Sequence, residues 1–253
     1  MIEIAFSLAV IGFALVAIVG ILPIGMGVQK ENRQETVVNQ DASVFLDAIR
    51  NGAMGLDDLT NYVMAITNTC TLYSSKGIPA TPQVYGYTPV FSSLNGGANS
   101  PQFPLINGYR IIGLLSTPKY IPVANGFYIN NVVAYVRSLS GPASEKFPQN
   151  NASLQDLAFS YRLRPEIVNY GTYSDPSSGA LQLPGLNGNL FDLRLTFRWP
   201  LVDPKGKTGP SQQSFRAQVA GSLQPTNEFV ANYLNDLGHT LYFFQPRTFV
   251  KGQ

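Results

Sequence analysis

Cysteine and histidine are almost missing from this chain of 253 residues. The single cysteine, Cys70, excludes a disulfide within the chain. The single histidine, His239, would have to serve any Ser-His-Asp or Cys-His catalytic arrangement, and the preceding Asn235–Gly238 indicates a turn. We therefore expect no catalytic site and predict that the protein is not an enzyme.

Charge is also scarce, because charged residues make up 13% of the chain, about half the share usual in soluble domains. The net charge of +2 and the lack of a basic cluster argue against a nucleic-acid partner. There is no CxxC pair, no P-loop and no EF-hand spacing. Asp57 and Asp58 are interpreted as solvated acids at the start of a helix rather than as metal ligands. The sequence thus predicts no cofactor and no metal site.

A long apolar run lies at the N-terminus. It extends over 26 residues from Ile4 to Gln29 without a charged side chain, and Glu3 lies directly before it. As an α-helix the run would be about 39 Å long, whereas about 20 apolar residues suffice to cross a bilayer core. The sequence therefore predicts an N-terminal helix that resides in lipid, or in an apolar environment that replaces lipid.

Three interpretations of this run are possible. A signal peptide would begin with basic residues and have an apolar core of only about 7–15 residues, but no Lys or Arg precedes Ile4. A plain membrane anchor explains the length but not Glu3, since a carboxylate in lipid is costly unless it is paired. The third interpretation is a helix that packs against other helices, where small residues allow close approach. It accounts for Pro23 and for four glycines, which are Gly12, Gly20, Gly25 and Gly27.

Glu3, the apolar helix and the segment Gly20-Ile-Leu-Pro-Ile-Gly25 resemble the N-terminus of type IV pilins and pseudopilins. In that family a glutamate heads an apolar helix that contains a proline and continues into a polar half carrying a globular head. With Leu193–Pro200 and Ser214–Arg216, the chain also resembles pseudopilin-type proteins of the Verru_Chthon cassettes. The family glutamate is the fifth mature residue, after a leader that ends in glycine. Glu3 is third here, so processing by a prepilin peptidase stays an open question.

The resemblance implies that Glu3 pairs with the N-terminal amine of a neighbouring subunit during assembly, because two unmatched buried charges would reject a subunit out of register. The alternative is a carboxylate that simply caps the helix. Pro23 removes an N–H and clashes with the preceding turn. We therefore predict that Gly20–Gly27 is the weakest part of the helix, which either unwinds in a filament or forms a static kink. The residues assigned to assembly are Glu3, Phe6, Phe13, Gly20, Pro23 and Gly25.

An apolar stripe at helical spacing follows the polar residues Lys30–Glu35. Asn51 and Gly52 form a C-terminal helix signal, so the helix is predicted to end near Arg50. The predicted domains are therefore an assembly helix over residues 1–52 and a globular, β-rich head over residues 53–253. The stripe is predicted to be the contact between helix and head, and consists of Val38, Ala42, Phe45 and Ile49.

Helices precede strands in the remaining pattern, which indicates an α+β fold: a long helix, half apolar and half amphipathic, packed on a mainly antiparallel β-sheet. The clearest strand is 190–199, where Leu193, Leu195, Phe197 and Trp199 alternate with polar residues. Other strands are predicted at 109–116, 126–139, 157–163, 215–223 and 240–244. Short helices are predicted at 56–66 and 227–236, and turn-rich connections at 74–108, 140–151, 174–188 and 203–213.

The resulting expectation is a structural subunit that polymerises through its apolar helix into a type IV pilus-like or type II secretion-like filament. It would span the inner membrane once before assembly and then belong to a cell-surface or periplasm-spanning filament. The resemblance implies an assembly platform and a prepilin peptidase as partners. The alternatives are a monomeric, membrane-anchored extracytoplasmic binding protein and, disfavoured by the missing catalytic groups, a membrane-tethered enzyme. Arg194 and Arg198 share a strand face, which either binds an anion or a partner or is an ordinary exposed polar surface.

Overall fold

The computed structural model describes residues 2–88, 102–123, 126–140, 159–170, 188–202, 206–228 and 239–249. By its internal contacts the chain divides between Gln40 and Asp41 into two compact units. The second unit, from Asp41 onward, is called the head unit. It contains the last ten residues of the first helix, which the sequence analysis placed in the segment 1–52.

The first helix, α1, extends from Ile2 to Arg50. It ends as predicted, because Gly52 has a positive φ of 58° and its N–H donates to the Ile49 carbonyl at 3.1 Å. The Ala53 N–H donates to the Ala48 carbonyl at 2.9 Å, which completes a Schellman motif. The backbone from Gly20 to Gly27 is helical, and its weakness relative to the rest of α1 stays a prediction.

The apolar stripe is buried, since Val38, Ala42, Phe45 and Ile49 are each at most 1% exposed. The opposite side of the helix is exposed, as Ser43, Val44 and Asp47 show, and Val44 is 44% exposed. The last three stripe residues lie within the head unit, where α1 packs against the sheet. Burying one face of the helix and wetting the other is the arrangement expected of an amphipathic segment.

An eight-stranded, mostly antiparallel sheet forms the head unit. Seven strands follow the order β3-β2-β1-β5-β6-β7-β8, and β4 pairs with the first residues of β5. Only β2 and β3 pair in parallel among these strands. The α+β prediction is confirmed. The strands are β1 Val63–Ser74, β2 Gln83–Thr88, β3 Gln102–Pro104, β4 Tyr120–Val123, β5 Gly126–Arg137, β6 Ser160–Asn169, β7 Leu190–Leu201 and β8 Thr208–Ala220.

A second helix and a hairpin complete the core of the head unit. Helix α2 spans Gly108–Leu115, and the hairpin consists of β9 Ser222–Glu228 and β10 His239–Gln245. The ring centroids of Phe244 and Phe191 are 5.3 Å apart, so β10 lies against the buried face of β7. Gly113 brings α2 close to β10, because a Cβ on that glycine would lie 2.7 Å from the Leu241 Cβ.

The alternation predicted for residues 190–199 is confirmed. Phe191, Leu193, Leu195, Phe197 and Trp199 are buried, at 0–4% exposure, while the residues between them are exposed or half-buried. The strands predicted at 126–139 and 240–244 are also present, as β5 and β10.

The strand predicted at 109–116 is wrong, because these residues form α2. The Asn107 side chain accepts a hydrogen bond from the Arg110 N–H at 2.8 Å, which is an N-cap. Ile111, Ile112, Leu114 and Leu115 are all buried, and this spacing also fits a helix. Isoleucine and tyrosine favour a strand, but the Asn107 cap stabilises a helix here.

The prediction of a helix at 56–66 is also wrong, except for a single turn. Only Asp57–Asn61 is helical, as a 3-10 turn, and Val63 begins β1. β1 lies between β2 and β5 in the sheet. The threonines and Tyr73 of β1 favour a strand. Hydrogen bonding to a strand on each side stabilises β1 more than the helical spacing of apolar residues at 56–66 stabilises a helix.

Several boundaries differ from those predicted. The predicted connection 74–108 contains β2 and β3, and β6 begins at Ser160 rather than at 157. β8 begins at Thr208, inside the predicted connection 203–213, and Gly221, with a φ of 130°, separates it from β9. Residues 227–228 belong to β9 instead of a helix, and the rest of that predicted helix lies outside the described residues. Most of the connections 140–151 and 174–188 also lie outside them.

Replacing Phe45 by alanine should destabilise the head unit by about 3–5 kcal/mol, because the aromatic ring is wholly buried and its loss leaves a cavity. Urea unfolding of the full chain in a non-ionic detergent, followed by the fluorescence of the single tryptophan, Trp199, measures this change. Val44→Ala is the matched control, since Val44 is 44% exposed and its truncation should change stability by about 0.5 kcal/mol or less. Equal losses for the two variants would contradict the assignment of the buried stripe.

Candidate functional site: an exposed apolar helix and a polar anchor

The apolar part of α1 is almost completely exposed. Its described large apolar side chains, from Ile2 to Val28, are between 52% and 80% exposed. The most apolar window of this helix has a mean hydropathy of 2.7, and none of it is buried. By length and composition alone, α1 is the one described helix that is able to cross a membrane. Water is a poor solvent for such a surface, so the helix is a candidate single-pass membrane anchor.

The residues assigned to assembly lie along this exposed helix. Glu3, Phe6 and Phe13 are exposed, and Phe13 is 80% exposed. A Cβ added to Gly20 or Gly25 would meet nothing within 4 Å, so close packing within the chain does not explain these glycines. Phe6, Phe13 and Gly20 are seven residues apart and therefore share one helix face. The side chain of Pro23 lies outside the described residues.

Glu3 lies in the first turn of α1 with an exposed side chain. A carboxylate at this end of a helix is favoured by the helix dipole. The Ser7 hydroxyl donates to the Glu3 carbonyl oxygen at 2.9 Å, which leaves the carboxylate itself available. Glu3 thus lies directly before an apolar helical segment, Ile4 to Gln29, that has no charged side chain.

A buried carboxylate anchors the last part of α1 within the head unit. Asp41 is 0% exposed. Its carboxylate accepts hydrogen bonds from the Leu139 N–H at 2.9 Å, from the Ser140 N–H at 3.0 Å and from the Tyr161 hydroxyl at 2.8 Å. The Ser140 hydroxyl also donates to it. Four donors from the end of β5 and from β6 thus converge on one helical side chain.

Burial and hydrogen bonding act in opposite directions on this carboxyl group. Burial raises the pKa of Asp41 above its ordinary value of 3.8, and the hydrogen bonds from Ser140, Leu139 and Tyr161 lower it by less. Burial, together with the neighbouring Asp41, also raises the pKa of Tyr161 far above its ordinary value. The tyrosine therefore stays protonated and remains a donor at physiological pH. The cluster serves as a structural anchor rather than as an exposed acid.

The sequence analysis missed Asp41, although the sequence contains a signal for it. Asp41 is three residues after Val38 and four before Phe45, so it falls on the buried stripe at helical spacing. A charged residue on a buried helix face requires hydrogen-bond partners. The tyrosine that supplies one of them is 120 positions away in sequence, which the local pattern does not reveal.

Other residues considered from the sequence have structural roles or lie apart. Asp57 and Asp58 are exposed, and the Asp57 carboxylate accepts a hydrogen bond from the Gly108 N–H at 2.9 Å, which joins the 3-10 turn to α2. Cys70 is a half-buried free thiol in β1. Within the described ranges, no three His, Cys, Asp or Glu residues are grouped in a way that suits a metal ion.

Compared with protein-family models, with curated proteins and with solved structures, the chain matches none of them. The assignment of a function therefore depends on the geometry of the two units themselves.

Replacing Asp41 by asparagine should destabilise the head unit by about 2–4 kcal/mol, because the amide offers one acceptor oxygen to several buried donors. Asp47→Asn is the matched control: it lies on the same helix but is exposed, and we expect it to change stability by about 0.5 kcal/mol or less. Urea unfolding monitored at Trp199 measures both. Equal stability of the two variants would show that Asp41 is not an anchor.

The stabilisation supplied by Asp41 should depend on pH. Because burial raises its pKa in the folded protein, the contribution is complete below the unfolded pKa and is lost as the pH rises through the folded pKa. The stability advantage of the wild type over Asp41→Asn should thus be larger at about pH 4 than at about pH 7. The measurement is the free energy of unfolding of both proteins at each pH. An advantage that grows with pH would mean that the hydrogen bonds outweigh burial.

Proposed function

We propose that this chain is a pilin-like structural subunit that polymerises through its N-terminal helix into a filament of the type IV pilus or type II secretion kind. The observation that supports this most is the contrast between the two units. The head unit buries many large apolar residues in a core, whereas the described large apolar side chains from Ile2 to Val28 are at least 52% exposed. Such a helix needs a partner surface that the chain itself does not provide.

Lipid and sister helices are the two environments that suit this surface. Before assembly, the apolar part of α1 spans the inner membrane once, since it exceeds the length that a bilayer core requires. In the filament, contacts between helices replace contacts with lipid, and packing rather than the hydrophobic effect decides between the two. Polymerisation therefore transfers the helix from one apolar environment to another, without exposing it to water.

The glycines of α1 support the proposal that this helix packs against other helices. Each glycine inside a helix costs about 1 kcal/mol relative to alanine. In this chain nothing lies within 4 Å of the position of a Cβ at Gly12, Gly20, Gly25 or Gly27. A lone anchor gains nothing from these residues, whereas a bundle of helices gains a closer approach of the backbones.

In this proposal, Glu3 determines the position of each subunit relative to its neighbour. A carboxylate that enters an apolar filament core is stabilised only when a positive group lies next to it. The N-terminal amine of a neighbouring subunit is such a group. A subunit that docks one step out of place leaves both charges unmatched, and its binding is weakened accordingly.

The runner-up is a monomeric, membrane-anchored extracytoplasmic binding protein. The length of the apolar run suits it equally well, but the exposed acid at the tip and the four glycines then have no role. The two functions differ in the fate of the helix, because the anchor stays in lipid and the subunit leaves it.

Replacing Glu3 by alanine should block or strongly reduce filament formation while the protein still inserts into the membrane, because the apolar run is unchanged and only the charge pair is lost. Electron microscopy of sheared cell-surface material counts the filaments, and membrane fractionation measures insertion. Glu31→Ala is the matched control, since Glu31 is an exposed acid on the same helix but in its polar half.

The control should assemble like the wild type. Normal filaments from Glu3→Ala would remove the register role of this acid. Monomers from the wild type as well as from both variants, under conditions of full membrane insertion, would favour the monomeric binding protein instead.

A further inference from the structure

The outward face of β6, β7 and β8 is unusually rich in arginine. It carries five of the ten arginines in the chain, while its opposite face packs into the core. We call the part of this face that forms a depression the arginine groove. The arginines of the face are Arg162, Arg164, Arg194, Arg198 and Arg216.

The register of the sheet places like charges against each other. Arg162 is directly opposite Arg198, and Arg194 is directly opposite Arg216. Like charges at paired positions on one face of a sheet are destabilising. This arrangement is therefore unfavourable unless anions compensate it, and on its other side Arg194 lies opposite the carboxylate of Glu166.

The carboxylates of this face compensate only part of the charge. Glu166 pairs with Lys119 at 3.3 Å and with Arg164 at 3.0 Å, and Asp192 pairs with Arg216 at 2.6 Å. No carboxylate in the described part of the chain forms an ion pair with the remaining three arginines. These three are Arg162, Arg194 and Arg198.

The arginine groove has the size and the lining of a small anion site. It has a volume of about 280 Å³, about nine liquid-water volumes, and its lining of polar side chains from β6, β7 and β8 includes one carboxylate, Glu166, which is paired with Lys119 and Arg164. Arg198 donates from Nε to the Gln212 side-chain oxygen at 2.7 Å, a neutral acceptor that fixes the guanidinium without neutralising it. The hydroxyls of Thr196 and Ser214 are hydrogen-bonded to each other at 3.0 Å in the same groove, which leaves one hydroxyl hydrogen as a neutral donor.

The spacing of the arginines favours a ligand with more than one anionic group. Neighbouring strands are about 4.8 Å apart and alternate residues along a strand about 7 Å apart. Planar guanidinium groups bind phosphate and carboxylate through two parallel hydrogen bonds. Arg162 and Arg198 are on neighbouring strands and thus present two adjacent forks to separate oxyanion groups, whereas Arg194 is four residues from Arg198, about 14 Å away along β7, at the far end of the groove.

We propose that the arginine groove binds a small polyvalent oxyanion, a molecule that carries two or three phosphate or carboxylate groups. The volume of the groove, about 280 Å³, suits a small molecule of this kind. This inference does not depend on the proposed filament function, since it concerns one face of the head unit alone.

Isothermal titration calorimetry of the full chain in a non-ionic detergent tests the proposal, with pyrophosphate as the phosphate probe and citrate as the carboxylate probe. Sodium chloride at matched ionic strength is the reference. We expect saturable binding of at least one probe, and the comparison of the two decides which oxyanion is preferred. Arg162→Gln and Arg198→Gln should each weaken probe binding about tenfold or more, because each removes a guanidinium group and its charge-assisted hydrogen bonds.

Arg247→Gln is the matched control, because Arg247 is an exposed arginine outside the groove, and its affinity should stay within about twofold of the wild type. Without ligand, Arg162→Gln should be as stable as the wild type or more stable, since it relieves a pair of like charges. Urea unfolding monitored at Trp199 checks that both groove variants are folded. A lack of saturable binding for both probes, or equal weakening by Arg247→Gln, would overturn the proposal.

Discussion

The exposed apolar helix is the constraint on which the account depends. Lipid and other helices are environments that suit such a surface, and the proposed function depends on this property of the helix. The head unit, by contrast, buries many of its large apolar residues in a core of its own.

The anchor at Asp41 shows how the head unit includes the end of the same helix. Four hydrogen bonds converge on one buried carboxylate, and the apolar residues Ala42, Phe45 and Ile49 follow it on the buried face. Buried polar clusters of this kind are costly when incomplete, so they define one position of the helix rather than several. The last ten residues of α1 are thus held in place within the head unit.

The sequence predicted the parts of the fold that depend on local periodicity. The end of α1 at Asn51-Gly52 and the alternation of β7 follow from neighbouring residues, and both are confirmed. The predictions for 56–66 and 109–116 are wrong because β1 is stabilised by pairing with distant strands and α2 by a side-chain cap. Asp41 was missed because its partner Tyr161 is distant in sequence. The register that places Arg162 opposite Arg198 depends on how β6 and β7 pair, so the spacing of residues within one strand does not reveal it.

Electron cryomicroscopy of sheared cell-surface material, combined with mass analysis of the subunit, tests the central claim most directly. The account predicts filaments of a 27.5 kDa protein whose N-terminal helices lie against each other in the filament core, with the heads on the outside. Material that remains monomeric, with each helix surrounded by lipid or detergent alone, would contradict it.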